Sequence, residues 1–124
     1  MKNNIVRDKS FDFAIRIIKL YQYLNSNKKE FILSKQLLRS GTSIGAMIRE
    51  AEHAESKNDF IHKFAIAQKE ANEVVYWLEL LKATDYLNEK EFKNIYDDAI
   101  TILKLITSIL KTSKNQLVPK LIST

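Results

Sequence analysis

The chain has 124 residues, a size typical of one domain, and its two glycines and one proline are too few turn residues for a many-stranded sheet. It has no cysteine, which excludes disulfides and thiolate metal sites. The formal net charge of +5 is uneven, because residues 1–49 carry +7 and residues 50–124 carry −2. This asymmetry favours either a polyanionic partner or head-to-tail packing of subunits.

Apolar residues spaced three and four apart predict amphipathic helices along most of the chain. The first helix is expected at about residues 10–24 and the second at about residues 30–56, with Ser26 or Asn27 as the N-cap between them. The inward stripe predicted for the first helix consists of Phe11, Ala14, Ile15, Ile18, Tyr21 and Leu24. The stripe predicted for the second consists of Leu37, Gly41, Ile44, Ile48 and Ala51.

A third helix is predicted at about residues 59–83 and a fourth at about residues 89–111. The third is expected to have its N-cap at residues 58–59, and Asn88 with Glu91 forms a capping-box pattern ahead of the fourth. The third helix has the most regular stripe, made of Phe60, Phe64, Ala67, Ala71, Val74, Leu78 and Leu81.

Together these segments predict an all-α fold, an antiparallel up-down-up-down four-helix bundle. It forms one domain over residues 1–124, with about eight loose residues at the N-terminus and a loose tail from about residue 113. The start of the chain lacks the apolar core of a signal peptide, and no uncharged run is long enough to span a membrane. We therefore expect a cytoplasmic protein with no membrane partner.

Both glycines lie in the segment RSGTSIGAMIREA, residues 39–51. A phosphate-binding P-loop needs a different glycine spacing and a lysine after the second glycine, and neither is present. Gly41 and Gly45 lie four residues apart, on one face of a helix, where they would allow another backbone to approach closely. We expect that helix to be the third, with Ala67 and Ala71 facing the two glycines.

The segment over residues 37–81 resembles the four-helix bundle proteins encoded within intervening sequences of 23S ribosomal RNA genes. The matching pieces are RSGTSIGA, EA, AES, DF, KEA and YWL, in this order. The resemblance implies an antiparallel four-helix bundle, commonly assembled as a homopentamer, with no established enzymatic activity. It also implies a fold similar to the basic, pentameric accessory protein of diversity-generating retroelements, which binds nucleic acid and a reverse transcriptase. Met47, where the family usually has Asn, and Val74, where Thr is common, depart from the pattern.

Glu70 and Glu73 fall on a partly apolar face of the third helix, where two carboxylates could serve as a general acid/base pair. A half-buried carboxylate also needs a charged hydrogen-bond partner, and Arg39 or Arg16 could supply one. We favour the structural interpretation and predict an ion pair between Arg39 and Glu73 across the second and third helices.

Two further patterns could indicate catalysis. Ser40, Thr42 and Ser43 could be nucleophiles, but no base lies at a supporting spacing, and helical hydroxyls commonly bond the carbonyl one turn back.

Glu50-x-x-His53 and Asp59-x-x-His62 partly match the motifs of di-iron bundles, but the last turns of the fourth helix supply no carboxylate. A metal-dependent bundle enzyme is therefore the remote alternative. We predict no catalytic residue, no metal and no cofactor.

Five basic residues of the first two helices are predicted to contact nucleic acid: Arg16, Lys19, Lys35, Arg39 and Arg49. No RNA- or DNA-binding motif accompanies them, so any binding would be directed at phosphates. The expected function is a non-catalytic homo-oligomer that presents a basic surface to RNA, DNA or a nucleic-acid enzyme. The alternative is a purely structural or protein-interaction ring that binds no nucleic acid.

Overall fold

The computed structural model describes the backbone of residues 2–123 and the side chains of residues 5–117. Four helices form the fold, α1 (Lys2–Lys28), α2 (Leu33–Glu52), α3 (Lys57–Ala83) and α4 (Glu89–Ser123), and residues 2–123 contain no strand. Helices α1 and α3 each pack against both α2 and α4, and consecutive helices are joined by short links. The predicted all-α four-helix bundle is confirmed.

The core is a single cluster of apolar side chains contributed by all four helices. Helix α2 buries the stripe predicted for it, and α3 does so except at Phe60, which is half-buried, whereas α1 buries a different face. The buried apolar residues of α1 are Val6, Phe13, Ile17 and Leu24, so the predicted inward stripe was wrong except at Leu24.

The predicted bounds of the outer helices were too short. Helix α1 begins at Lys2, and Val6 is fully buried, so the prediction of about eight loose N-terminal residues was wrong. Burial of Val6 in the core stabilises this first part of the helix. Helix α4 continues past residue 111 to Ser123, and Ser113 is buried. The predicted loose tail begins at about residue 113, and its last part, residues 118–124, has side chains that lie outside the described residues.

The link between α1 and α2 begins with a left-handed residue. Lys29 has a φ of 57°, and the N–H of Glu30 donates to the carbonyl oxygen of Leu24 at 3.0 Å. This bond closes the end of α1, with Lys29 in the left-handed conformation that is common just after a helix. Ser26 and Asn27 therefore lie inside α1, and neither is the N-cap of α2.

Glu30 caps α2 instead. Its carboxylate accepts hydrogen bonds from three backbone N–H groups, at 2.7–3.1 Å, those of Ile32, Leu33 and Ser34. Burial by itself raises the pKa of Glu30, but these backbone hydrogen bonds outweigh it and leave the pKa below its ordinary value. A glutamate thus replaces the Ser or Asn cap that sequence patterns favour.

Helices α3 and α4 begin with side-chain caps. Ser56 caps α3, because its hydroxyl accepts from the N–H of Asp59 at 3.0 Å, two residues before the predicted position. The predicted capping box of α4 is confirmed. The N–H of Glu91 donates to Asn88 Oδ1 at 2.8 Å, and the N–H of Asn88 donates to Glu91 Oε1 at 2.9 Å.

Both glycines allow a close approach between α1 and α2. A Cβ on Gly41 would lie 2.8 Å from Ile17 Cγ2, and a Cβ on Gly45 would lie 3.5 Å from Ser10 Oγ. Contacts below 3.0 Å are not tolerated by real Cβ atoms, so Gly41 is required where Ile17 enters the core.

The predicted partner helix of the glycines was wrong. Ala67 and Ala71 are buried in the core, but the atoms nearest to Gly41 and Gly45 belong to α1. The reason is the order of the helices, because α2 has α1 on one side and α3 on the other. The glycines lie on the side toward α1, whereas Arg39 and Ser40 of the same helix form polar contacts with Glu73 of α3.

Candidate nucleic-acid interface

Arg39 lies in an ion cluster between α2 and α3. Its Nη2 is 3.2 Å from Glu73 Oε1 and its Nη1 is 3.5 Å from Glu70 Oε1. Ser40 Oγ donates to the same oxygen of Glu73 at 3.3 Å. The predicted pair of Arg39 and Glu73 is therefore in place, and Glu70 joins it.

Glu70 is the buried member of this cluster, with 9% of its side chain exposed. Its second oxygen, Oε2, is buried and has no hydrogen-bond partner among the described residues. A buried carboxylate depends on the cation beside it, so Arg39 acts first as a structural counter-ion. The Arg39 side chain nevertheless remains more than half exposed.

Arg16 is also engaged within the chain. It forms an ion pair with Asp98 of α4, and its Nη2 donates to Asn94 Oδ1 at 3.0 Å. Two of the five predicted nucleic-acid contacts are thus bonded to the protein's own acidic or amide groups. Arg16 pairs with α4 and not with the carboxylates of α3.

The other three predicted contacts, Lys19, Lys35 and Arg49, are exposed. Among the side chains of residues 5–117, none of them has an acidic partner within salt-bridge distance. Arg49 lies over the ring of Phe11, with its Cζ 5.4 Å from the ring centroid. This cation–π contact joins α2 to α1 and leaves the guanidinium edge open to solvent.

Helix α1 also presents an apolar stripe to solvent. Phe11, Ile15 and Ile18 are 52%, 39% and 39% exposed, and their spacing of four and three places them on one face. The apolar periodicity of α1 predicts that these side chains lie in the core, and this prediction was wrong. Helix α1 is apolar on two sides, and spacing alone does not tell which side is buried.

The residues considered for catalysis have ordinary structural contacts. Thr42 Oγ1 donates to the carbonyl of Leu38 at 2.8 Å, and Ser43 Oγ donates to that of Arg39 at 2.7 Å. These bonds to the preceding turn are typical of helical hydroxyls.

The residues considered for a metal site do not come together. Glu50 pairs with Lys63 at 2.9 Å, and both His53 and His62 are exposed. In the part of the chain that the structure describes, no three His, Cys, Asp or Glu side chains are grouped as a metal site requires.

The fold and the charged surface of α1 and α2 define a small helical bundle protein with an exposed basic and apolar face. The chain belongs to the 23S rRNA-intervening sequence protein family, whose sequence profile matches residues 2–108. Among the described residues, no helix is long and apolar enough to cross a membrane.

A solved structure is similar to this chain over nearly its whole length. It is a protein of unknown function from the S23 ribosomal protein family of Bacteroides thetaiotaomicron, 57% identical in sequence. The TM-score is 0.88, and the match covers 90% of this chain and 99% of that one. Comparison with curated proteins gave no match.

Proposed function

We propose that this protein is a non-catalytic, self-associating bundle that binds RNA or DNA through the basic surface of α1 and α2. The observation that carries the proposal is the exposure of Lys19, Lys35 and Arg49 without an acidic partner among the described side chains. A cation that is not in an ion pair has no such pair to break before it binds a phosphate. These three side chains are therefore available to neutralise phosphates.

Binding of this kind is directed at the nucleic-acid backbone. Each neutralised phosphate releases condensed counterions, so affinity falls steeply as salt rises. Self-association would strengthen the effect, because five subunits of net charge +5 carry about +25 in total. Five is the number that the family resemblance implies.

The test is a pair of triple charge reversals with the same change in net charge. One variant combines Lys19→Glu, Lys35→Glu and Arg49→Glu, and the control reverses three exposed lysines of α4, Lys104, Lys111 and Lys114. We expect the first variant to lose RNA binding at low salt by about a hundredfold or more, and the control by much less. Equal losses would mean that net charge alone acts, and no binding by the wild type would refute the proposal.

The surface for self-association in this proposal is the apolar stripe Phe11, Ile15 and Ile18 of α1. Exposed apolar patches of this kind mark contacts between proteins. The stripe equally favours the second candidate function, a protein-interaction ring that binds no nucleic acid. Binding of RNA or DNA by the wild type, measured over a series of salt concentrations, separates the two candidates, because the ring predicts no affinity even at low ionic strength.

We propose no catalytic activity, cofactor, metal or membrane association for this protein. We also propose that it is cytoplasmic. The absence of cysteine fits a reducing compartment. The hydroxyls and carboxylates considered as catalytic groups serve as helix and interhelix contacts, which supports a binding role.

A further inference from the structure

The link between α1 and α2 carries two exposed apolar side chains at one end of the bundle. Phe31 and Ile32 are 57% and 76% exposed, and Ile32 is the most exposed large apolar residue among the described side chains. They follow one another in a four-residue link, residues 29–32, which we call the tip. Phe31 and Ile32 belong neither to the basic surface formed by Lys19, Lys35 and Arg49 nor to the apolar stripe of α1.

The tip has a fixed backbone. The left-handed Lys29 closes α1, and the carboxylate of Glu30 accepts three hydrogen bonds from the first N–H groups of α2. Ser34 adds hydrogen bonds to the carbonyl of Glu30 at 2.9 Å and to Asn25 Oδ1 at 3.2 Å. Phe31 and Ile32 are therefore held outward by a preorganised link, which lowers the entropy lost when they bind a partner.

The tip is also basic on its outer side. Lys28, Lys29 and Lys35 flank the apolar pair and are all exposed. The acid between them, Glu30, is buried and turned toward the N–H groups of α2, so it does not neutralise these lysines from outside.

Two acidic residues at the start of α4 have partners of their own. Glu91 accepts from the N–H of Asn88 and from the hydroxyl of Tyr23, the latter at 2.8 Å. Glu89 lies 3.0 Å from the Nζ of Lys82. The pKa of Glu91 is lowered, chiefly by the hydrogen bond from the N–H of Asn88 and to a smaller extent by the charge of Lys28, so Lys28 is partly engaged with this acid. Lys29 and Lys35 have no acidic partner within salt-bridge distance among the described side chains, so a polyanion approaching the tip meets their charge unopposed.

We infer that the tip binds unpaired nucleotides of RNA or DNA, with Phe31 stacking on a base and the three lysines contacting the adjacent phosphates. This inference rests on the proposed function and assigns it a substrate class. An aromatic side chain can stack on any of the bases, so this contact does not depend on the nucleic-acid sequence. The ring reaches a base only where that base is unpaired. Ile32 then packs beside the stacked base as an apolar wedge.

The experiment measures binding of a labelled 12-nucleotide single-stranded RNA and of a duplex of the same sequence, by fluorescence anisotropy at low salt. Phe31→Ala should weaken binding of the single strand by about 5- to 100-fold and leave the duplex unchanged. Phe31→Trp retains the stacking surface and should restore binding. Tyr76→Ala, which removes a similarly exposed aromatic ring from α3, is the matched control and should have little effect.

The outcomes separate the inference from the proposed function. If the wild type binds neither RNA, the proposed function fails and the inference fails with it. If both RNAs bind equally and Phe31→Ala changes neither affinity, the inference alone is overturned. Vesicles containing phosphatidylserine provide the third arm, because loss of vesicle binding in Phe31→Ala with intact RNA binding would assign the tip to an anionic membrane and overturn the inference.

Discussion

A Cβ on Gly41 would lie 2.8 Å from Cγ2 of Ile17, and this approach fixes how closely α1 and α2 pack. This Cγ2 atom belongs to a β-branched side chain that is itself fully buried, so it has little freedom to move away. Gly45, one turn further along the same helix, has no such neighbour. The two glycines therefore predict opposite responses to the same substitution.

Gly41→Ala should destabilise the protein by up to about 2 kcal/mol, because overpacking exceeds the gain of about 1 kcal/mol in helix propensity. Gly45→Ala should be neutral or stabilising by about 0.5–1 kcal/mol, because its added methyl makes contacts of 3.5–3.7 Å. Urea unfolding of both variants measures the difference. A Gly41→Ala protein as stable as the Gly45→Ala protein would show that Ile17 can shift freely.

Arg39 should contribute to stability mainly through Glu70. We expect Arg39→Met to cost about 1–3 kcal/mol, because it leaves the buried carboxylate without its cation. Glu73→Gln should cost less than about 1 kcal/mol, since Glu73 is more exposed. A double-mutant cycle with Glu70→Gln checks the coupling. Additive effects of Arg39→Met and Glu70→Gln would contradict a direct interaction.

The cap formed by Glu30 should make part of the stability dependent on pH. Because the pKa of Glu30 is lowered in the folded protein, its contribution is present above the unfolded value and is lost as pH falls through the folded pKa. Glu30→Gln should cost about 1 kcal/mol at pH 7. The difference should begin to shrink as pH falls through the ordinary range of glutamate, and the wild type and the variant should converge only below the lowered pKa of folded Glu30, where protonated Glu30 resembles Gln. A constant difference over pH 3–7 in thermal unfolding would exclude the charged cap.

The exposed stripe of α1 should hold copies of the chain together. Ile15→Glu places a charge in the middle of the stripe and should shift the mass measured by light scattering toward the 14.4 kDa of one chain. Tyr76→Glu introduces the same charge at an exposed site of α3 and serves as the control. If Ile15→Glu keeps the wild-type mass, the subunits do not meet at this stripe.

The sequence alone was sufficient for the fold class and for several contacts. The apolar stripe of α3 is unbroken, and the capping box of α4 is specified by Asn88 and Glu91 alone. Both predictions therefore depend only on residues close together in the sequence. The charges of Arg39 and Glu73 predicted their pairing, because a partly buried carboxylate requires a cation.

Other features depend on which helices lie next to each other. The side of α1 that is buried could not be predicted, because both Phe13 and Phe11 belong to apolar stripes of helical period. The glycines predicted a close approach but not the partner helix. The Glu30 cap was missed, since the carboxylate reaches the N–H groups of α2 only after Lys29 adopts its left-handed conformation.

Self-association and nucleic-acid binding are tested together by the solution mass, measured by light scattering with and without single-stranded RNA over a series of salt concentrations. We predict an oligomer that forms a heavier complex with RNA at low salt. The logarithm of its affinity should fall linearly with that of the salt concentration, by about 0.7 for each phosphate neutralised on a single strand. An unchanged mass at the lowest salt, with no RNA bound, would contradict the claim.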